Sequence, residues 1–119
     1  MKKPDALAAL AALAQDNRLD VFRLLVEAGR EGMPAGSVAT ALKLAPNTLT
    51  FHFDRLRDAG LVTVRREGRS MIYAARYETM NGLIAFLTEN CCRGRVDECL
   101  PAKDAKAKPA KVRRKEMVA

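Results

Sequence analysis

Leu44-Ala45-Pro46-Asn47-Thr48-Leu49-Thr50-Phe51-His52-Phe53-Asp54-Arg55-Leu56-Arg57-Asp58-Ala59-Gly60 reads as one short helix with a marked start and stop. Pro46 suits the first helical position, where a missing N–H costs nothing. Leu44 and Leu49 have the spacing of a hydrophobic staple across that start. Leu49, Phe53 and Leu56 fall at i, i+4 and i+7 and form one apolar stripe. Gly60 supplies the positive φ that ends such a helix. Away from the stripe point Asn47, Thr50, Phe51 and Asp54, flanked by Thr48, His52 and Arg55. Short polar donors beside one exposed aromatic suit the reading of base edges in a groove.

Working outward, Ala35–Leu42 forms a short helix with Val38, Ala39 and Leu42 inward, and Lys43-Leu44-Ala45 turns the chain into the helix just described. Two short helices joined by three residues make a helix-turn-helix. After Gly60 the apolar period changes from 3.6 to 2. Residues 61–66 and 70–75 read as two strands, with Glu67-Gly68-Arg69 as the hairpin loop. This wing carries Arg65, Arg66 and Arg69 near its tip. Upstream, residues 5–14 are helical and Ala-rich, with Leu7 and Leu10 on one side. Asp16 and Asn17 are positioned to cap a second helix over 18–28, in which Leu19, Phe22, Leu25 and Val26 face the core. Residues 30–34 read as a loop. From Glu78 a last helix carries Met80, Leu83, Ile84 and Leu87 in one stripe, with Phe86 alongside, and runs into Cys91-Cys92. The fold class is mostly α with a two-stranded β wing, a winged helix-turn-helix. Residues 1–100 form the DNA-binding and dimerisation domain, and 101–119 form a basic tail expected to be disordered.

The chain has 119 residues, and one domain is the prior for that length. No apolar run approaches a membrane span. The start mimics a signal peptide, but Asp5 and Asp16 interrupt it, and a cytoplasmic protein is expected. Net charge is +7, but residues 101–119 hold seven Lys/Arg against Asp104 and Glu116, so the folded part is only weakly basic. An anionic partner is favoured, and its contacts must be argued from where the other arginines lie. All three cysteines, Cys91, Cys92 and Cys99, lie within nine residues. An odd count in a cytoplasmic chain argues against a disulfide framework, and the clustering points to metal or redox chemistry.

Three stretches carry a family resemblance: Ala14-Gln15-Asp16-Asn17-Arg18-Leu19, then Leu49 through Val62, then Arg65-Arg66-Glu67-Gly68-Arg69-Ser70-Met71-Ile72-Tyr73. With the helix order they resemble the ArsR family of metal-sensing repressors, over residues 6–99. Leu87-Thr88-Glu89-Asn90-Cys91-Cys92 resembles the branch with an arsenic site at the end of the last helix. Two departures stand out. Ala45 replaces the usual capping Ser, a loss of about 1 kcal/mol at that helix start. Val38-Ala39-Thr40 offers no ligand where other arsenic sensors carry a Cys-x-Cys pair.

The resemblance implies a homodimeric repressor of double-stranded operator DNA, released by its inducer. Candidate DNA contacts are Asn47, Thr48, Thr50, Phe51, His52, Arg55, Arg65, Arg66 and Arg69. His52 lies close to the apolar stripe, so a backbone hydrogen bond competes with a base or phosphate contact; Phe51 either packs on a neighbouring helix or meets a thymine methyl. The dimer interface is expected from Leu7, Leu10, Met80, Leu83, Ile84 and Leu87, whose stripes the small central core does not need.

In one continuous helix Cys91 and Cys99 would stand about 12 Å apart along the axis. A three-thiol site therefore needs a turn after Cys92, which Arg93-Gly94-Arg95 allows. Soft thiolates select thiophilic ions, so As(III) or Sb(III) at Cys91, Cys92 and Cys99 is the favoured inducer. Cys91 with Cys92 suffices for a singly methylated arsenical. Zinc would need Asp97 or Glu98 as a fourth ligand. A disulfide from Cys99 to Cys91 or Cys92 would make a thiol-redox or sulfide-responsive repressor instead. An enzyme is not expected: the chain has neither a Cys-x-x-Cys pair nor a phosphate-cradling glycine loop. No organic cofactor and no membrane partner are expected.

Overall fold

Helix α1 (Lys3–Leu13) opens the computed structural model, which describes residues 1–94. Cys99, the 101–119 tail and the end of the expected 1–100 domain lie outside the described residues. The chain divides into one unit over Met1–Leu87 and a second that begins at Thr88.

Helix α1 turns Ala6, Ala9 and Ala12 inward and leaves Leu7 and Leu10 exposed. Small side chains at i, i+3 and i+6 let it approach α2 (Asp16–Ala28) closely. The cap of α2 differs from expectation. Gln15, not Asp16 or Asn17, takes the N-cap position, its Oε1 accepting the Arg18 N–H at 2.8 Å. Arg18 also closes the end of α1, its Nε donating to the Ala12 carbonyl at 2.7 Å. The buried stripe of α2 is Val21, Phe22 and Leu25; Leu19, expected inside, is exposed. An inward face centred on residues 21, 22 and 25 leaves Leu19 on its flank.

The segment read as a loop contains a short strand, β1 (Met33–Pro34), followed by α3 (Ala35–Leu42) and α4 (Pro46–Asp58). Both helices of the pair end alike. The Leu44 N–H reaches the Ala39 carbonyl at 3.0 Å and the Lys43 N–H that of Thr40 at 3.4 Å, with Lys43 at φ 58°. At the end of α4 the Leu61 N–H reaches Leu56 and the Gly60 N–H reaches Arg57, both at 2.9 Å, with Gly60 at φ 78°. Each is a Schellman closure around one left-handed residue. Gly60 thus does what its sequence position predicts.

At the start of α4, Ala45 has the extended backbone of an N-cap (φ −65°, ψ 144°) but gives no side-chain cap. Ala45→Ser is therefore expected to stabilise the fold by about 1 kcal/mol, read as a higher midpoint in urea at unchanged m-value. An unmoved midpoint would show that this helix start is satisfied without a cap.

Strands β2 (Val62–Glu67) and β3 (Ser70–Ala75) pair antiparallel from Val62↔Ala75 to Glu67↔Ser70. The hairpin loop is thereby tightened to Gly68-Arg69, with Gly68 at φ 61°. The wing is a three-stranded sheet rather than a two-stranded one, in the order β1-β3-β2, because Met33 and Pro34 pair with Tyr73 and Ile72. Pro34 is tolerated because β1 is an edge strand. Ile72 through Ala75 are all buried, since β3 is central in the sheet and packs against α2 and α3.

Helix α5 (Tyr77–Leu87) is tied back at its start. The Tyr77 hydroxyl donates to the Val26 carbonyl at 2.7 Å, and the Thr79 hydroxyl to that of Gly60 at 2.6 Å. Two expectations change here. Leu83 is only 7 % exposed and Met80 is half-buried, both against the chain's own core, so Leu83 is not a surface residue awaiting a partner; Ile84 and Leu87 are exposed. The helix also stops at Leu87 instead of running into the cysteines. A turn over residues 88–90 follows, ending on Asn90 at φ 59°, the non-glycine residue best suited to the left-handed region.

Candidate nucleic-acid interface

Two opposite faces make α4 what it is. Leu49, Phe53 and Leu56 are buried, and the Phe53 ring stacks on Tyr73 with centroids 3.6 Å apart. Facing out are Asn47, Thr48, Thr50, Phe51, Asp54 and Arg55, all exposed. The Asn47 Oδ1 accepts the Thr48 N–H at 2.9 Å, and the Thr50 hydroxyl donates to the Pro46 carbonyl at 3.0 Å. Asp54 pairs with Arg57 at 3.6 Å. Both partners are about half-exposed, so the pair contributes little to stability. Arg55 lies over the Phe51 ring, its guanidinium carbon 5.0 Å from the centroid.

His52 departs from expectation. It is 5 % exposed, so it belongs to the buried side of α4 and does not present its ring outward. The i−1 and i+1 neighbours of Phe53 lie on opposite flanks of the stripe, and the flank of His52 is covered. Nor does its Nδ1 make the backbone hydrogen bond considered above, for it has no hydrogen-bond partner among the described residues. Burial first, and the positive Arg18 second, hold its pKa below the usual 6.5. The sequence signals this role of Arg18 only as a cation directly after the Gln15-Asp16-Asn17 run.

The sign of the pH effect follows from linkage. The unfolded chain binds a proton on His52 more readily than the folded one, so stability is full above the unfolded pKa. It declines as pH falls below about 6.5, with a slope of at most about 1.4 kcal/mol per pH unit, and levels off below the depressed folded pKa. Denaturation midpoints between pH 7.5 and 5 should fall for the natural chain and stay nearly flat for His52→Gln. Parallel curves would remove His52 from the account.

On the wing, Arg65 is anchored. Its Nε donates to Glu67 at 2.7 Å and its Nη2 to the Glu31 carbonyl at 2.9 Å. The Arg66 Nε reaches the Gly68 carbonyl at 3.4 Å, and Arg69 stands exposed in the turn. Lys43, exposed in the turn between the two helices, is a further cation beside this face that no helical stripe marks in the sequence.

In the second unit, Cys91 and Cys92 lie half-buried in a 3-10 turn over Cys91–Gly94. Positive φ at Cys92, Arg93 and Gly94 in succession bends the chain there. Among the described residues no group of three or more His, Cys, Asp or Glu is placed to hold a metal ion. Cys91 and Cys92 offer two adjacent thiols, and a three-thiol set is complete only with Cys99.

Comparison with known proteins places this architecture. A helix-turn-helix domain model matches residues 13–65. The Escherichia coli HTH-type transcriptional regulator YgaV is 30% identical over 87 residues, which are 73% of this chain and 86% of that protein. An ArsR-like transcriptional regulator from Rhodococcus superposes with a TM-score of 0.65 at 25% identity, over 90% of this chain and 96% of that one. The chain belongs to the helix-turn-helix transcriptional regulators. Reduced HlyU from Vibrio cholerae is similar to the regulator at 26% identity and a TM-score of 0.59, over 75% and 90% of the two chains. Two structures share the fold at lower identity: a homodimeric winged helix-turn-helix domain from Mycobacterium bovis (23%, TM-score 0.59) and a possible regulator of arsenical resistance (22%, TM-score 0.59). The chain is a DNA-binding transcriptional regulator and not an enzyme. No helix among the described residues is long and apolar enough to cross a membrane.

Proposed function

We propose that the regulator is a homodimeric repressor of an arsenic-resistance operon, and that trivalent arsenic or antimony at Cys91, Cys92 and Cys99 releases it from its operator. The observation that carries the DNA half is the outer face of α4, polar and aromatic throughout, backed by a fully buried apolar face. Asn47, Thr48, Thr50, Phe51 and Arg55 read the major groove, and Arg66 and Arg69 hold phosphate from the wing. Arg65 assists once it exchanges its Glu67 contact for phosphate.

A second copy covers what α1 and α5 leave outside, notably Leu7, Leu10 and Leu87. Large apolar side chains that the core does not consume mark such an interface. The homodimeric relative in fold supports this arrangement. Two α4 helices then enter successive major grooves about 34–36 Å apart. An inducer at the thiols opposes DNA by favouring a different spacing of those helices, and DNA opposes the inducer by the same factor.

The likeness to reduced HlyU favours a second reading, in which oxidation of the thiols is the signal. One experiment separates the two. Full-length protein is bound to its operator under reducing conditions and challenged with arsenite, methylarsenite, peroxide or polysulfide. Release by arsenite, lost in Cys99→Ser while the methylarsenite response survives, is the expected result. Release by oxidants alone would replace the arsenic reading with the redox one.

A further inference from the structure

Phe51 and Arg55 form a unit on the outer face of α4 that the general reading of this helix does not explain. Phe51 is 50 % exposed and lies outside the hydrophobic core. Its contacts are local: the His52 ring edge-on at 5.7 Å and the Arg55 guanidinium at 5.0 Å. The rest of the face is largely occupied within the chain. The Thr50 hydroxyl proton goes to the Pro46 carbonyl, the Asn47 oxygen to the Thr48 N–H, and Asp54 to Arg57. In the second and third turns, Thr50 keeps only its acceptor lone pairs for a base, and Phe51 and Arg55 carry the rest of the discrimination.

Their chemistry limits what they can discriminate. A phenyl ring makes no hydrogen bond to a base edge, and the one apolar group in the major groove is the thymine C5-methyl. A guanidinium matches the O6/N7 edge of guanine. Arg55 stacked on Phe51 stands about as far from the ring as one to two base steps, each about 3.4 Å along a strand.

We propose that Phe51 is a specificity-determining residue of the operator complex, seated on the methyl of one thymine per half-site, and that its ring holds the Arg55 guanidinium for the O6/N7 edge of a neighbouring guanine. This rests on the DNA-reading role of α4 given above, not on the nature of the inducer.

The test uses full-length protein and a duplex that the protein itself selects from random sequence, so it does not depend on knowing the natural operator. Each thymine is replaced singly by deoxyuridine, which removes only the methyl, and each guanine by 7-deazaguanine, which removes only N7. The natural chain is expected to lose roughly four-fold in affinity at one thymine per half-site, and about ten-fold at one guanine within two steps of it. Phe51→Ala becomes indifferent to that methyl and loses part of the guanine discrimination, with an unchanged salt slope. Arg55→Ala loses the guanine discrimination. Phe51 is exposed, and Phe51→Leu keeps an apolar tip, so it should retain methyl sensitivity and serve as the check on folding. If Phe51→Ala shows the same thymine and guanine sensitivities as the natural chain, the proposal is overturned. It is also overturned if Arg55→Ala only lowers the salt slope by about one, the mark of a phosphate contact. In either case DNA binding by the wing and the rest of α4 stands. Failure to select any sequence would reject the reading of α4 as well.

Discussion

Phe53→Ala is expected to destabilise the folded chain by about 3–5 kcal/mol, while Phe51→Ala, two residues away on the same helix, leaves stability nearly unchanged. Phe53 is among the largest fully buried side chains, and its ring lies parallel to Tyr73 at 3.6 Å. Its removal takes away the link between α4 and the central strand of the sheet. A cleft of ≈ 180 Å³ between α3, α4 and β3 already borders Phe53 and Tyr73, so the void created by truncation joins existing space instead of collapsing. The cost should therefore fall toward the upper end of that range, since residual cavity volume adds to the lost transfer energy. Urea denaturation of both variants checks this. A loss below about 1 kcal/mol for Phe53→Ala would mean that the interior repacks freely around the site.

Gly32→Ala is the second large effect, expected at about 2–4 kcal/mol. Gly32 has φ +77°, and a Cβ there would lie 2.3 Å from the Tyr73 carbonyl oxygen. The opposing atom is backbone, so no rotamer change relieves the overlap; β1 must move away from β3. Amide exchange at Met33 and Tyr73, which are register partners, should accelerate along with the loss of stability. Gly29→Ala is the comparison. It has φ +87° and ψ −174°, a region of backbone space that is essentially glycine's alone, but nothing within 4 Å of the added Cβ, so it should show a backbone cost alone, about 1–3 kcal/mol. Unchanged amide exchange at Met33 and Tyr73 in Gly32→Ala would show that close approach to β3 adds nothing.

These substitutions also mark where the sequence was legible. Phe53 and Phe51 are the same residue type two positions apart, and helical periodicity alone assigns one to the interior and the other to the surface. Gly32 carries no such signal. Its role depends on Tyr73, forty-one residues later, and strand β1 is too short to show a period. Helix α1 is a contrast: its leucines are expected on a face the small core does not need, and Leu7 and Leu10 are exposed, while which neighbours the inward alanines meet, α2 and α4, is set by the fold.

The candidate site divides in the same way. Periodicity and cap chemistry determined the helix-turn-helix, the stop at Gly60, the wing hairpin, and the outward placement of Asn47, Thr50, Phe51 and Asp54. Tertiary structure decided the rest. His52 sits on the flank of the stripe, and the surrounding fold buries its ring, with the positive Arg18 of α2 near enough to lower its pKa. Leu83 and Leu87 share a helical face in the sequence, but only Leu83 reaches the chain's own core. Local backbone preference is written in each short stretch because it acts over three or four residues. Which of two eligible faces is buried depends on surfaces supplied from elsewhere in the chain, and those exist only once it has folded.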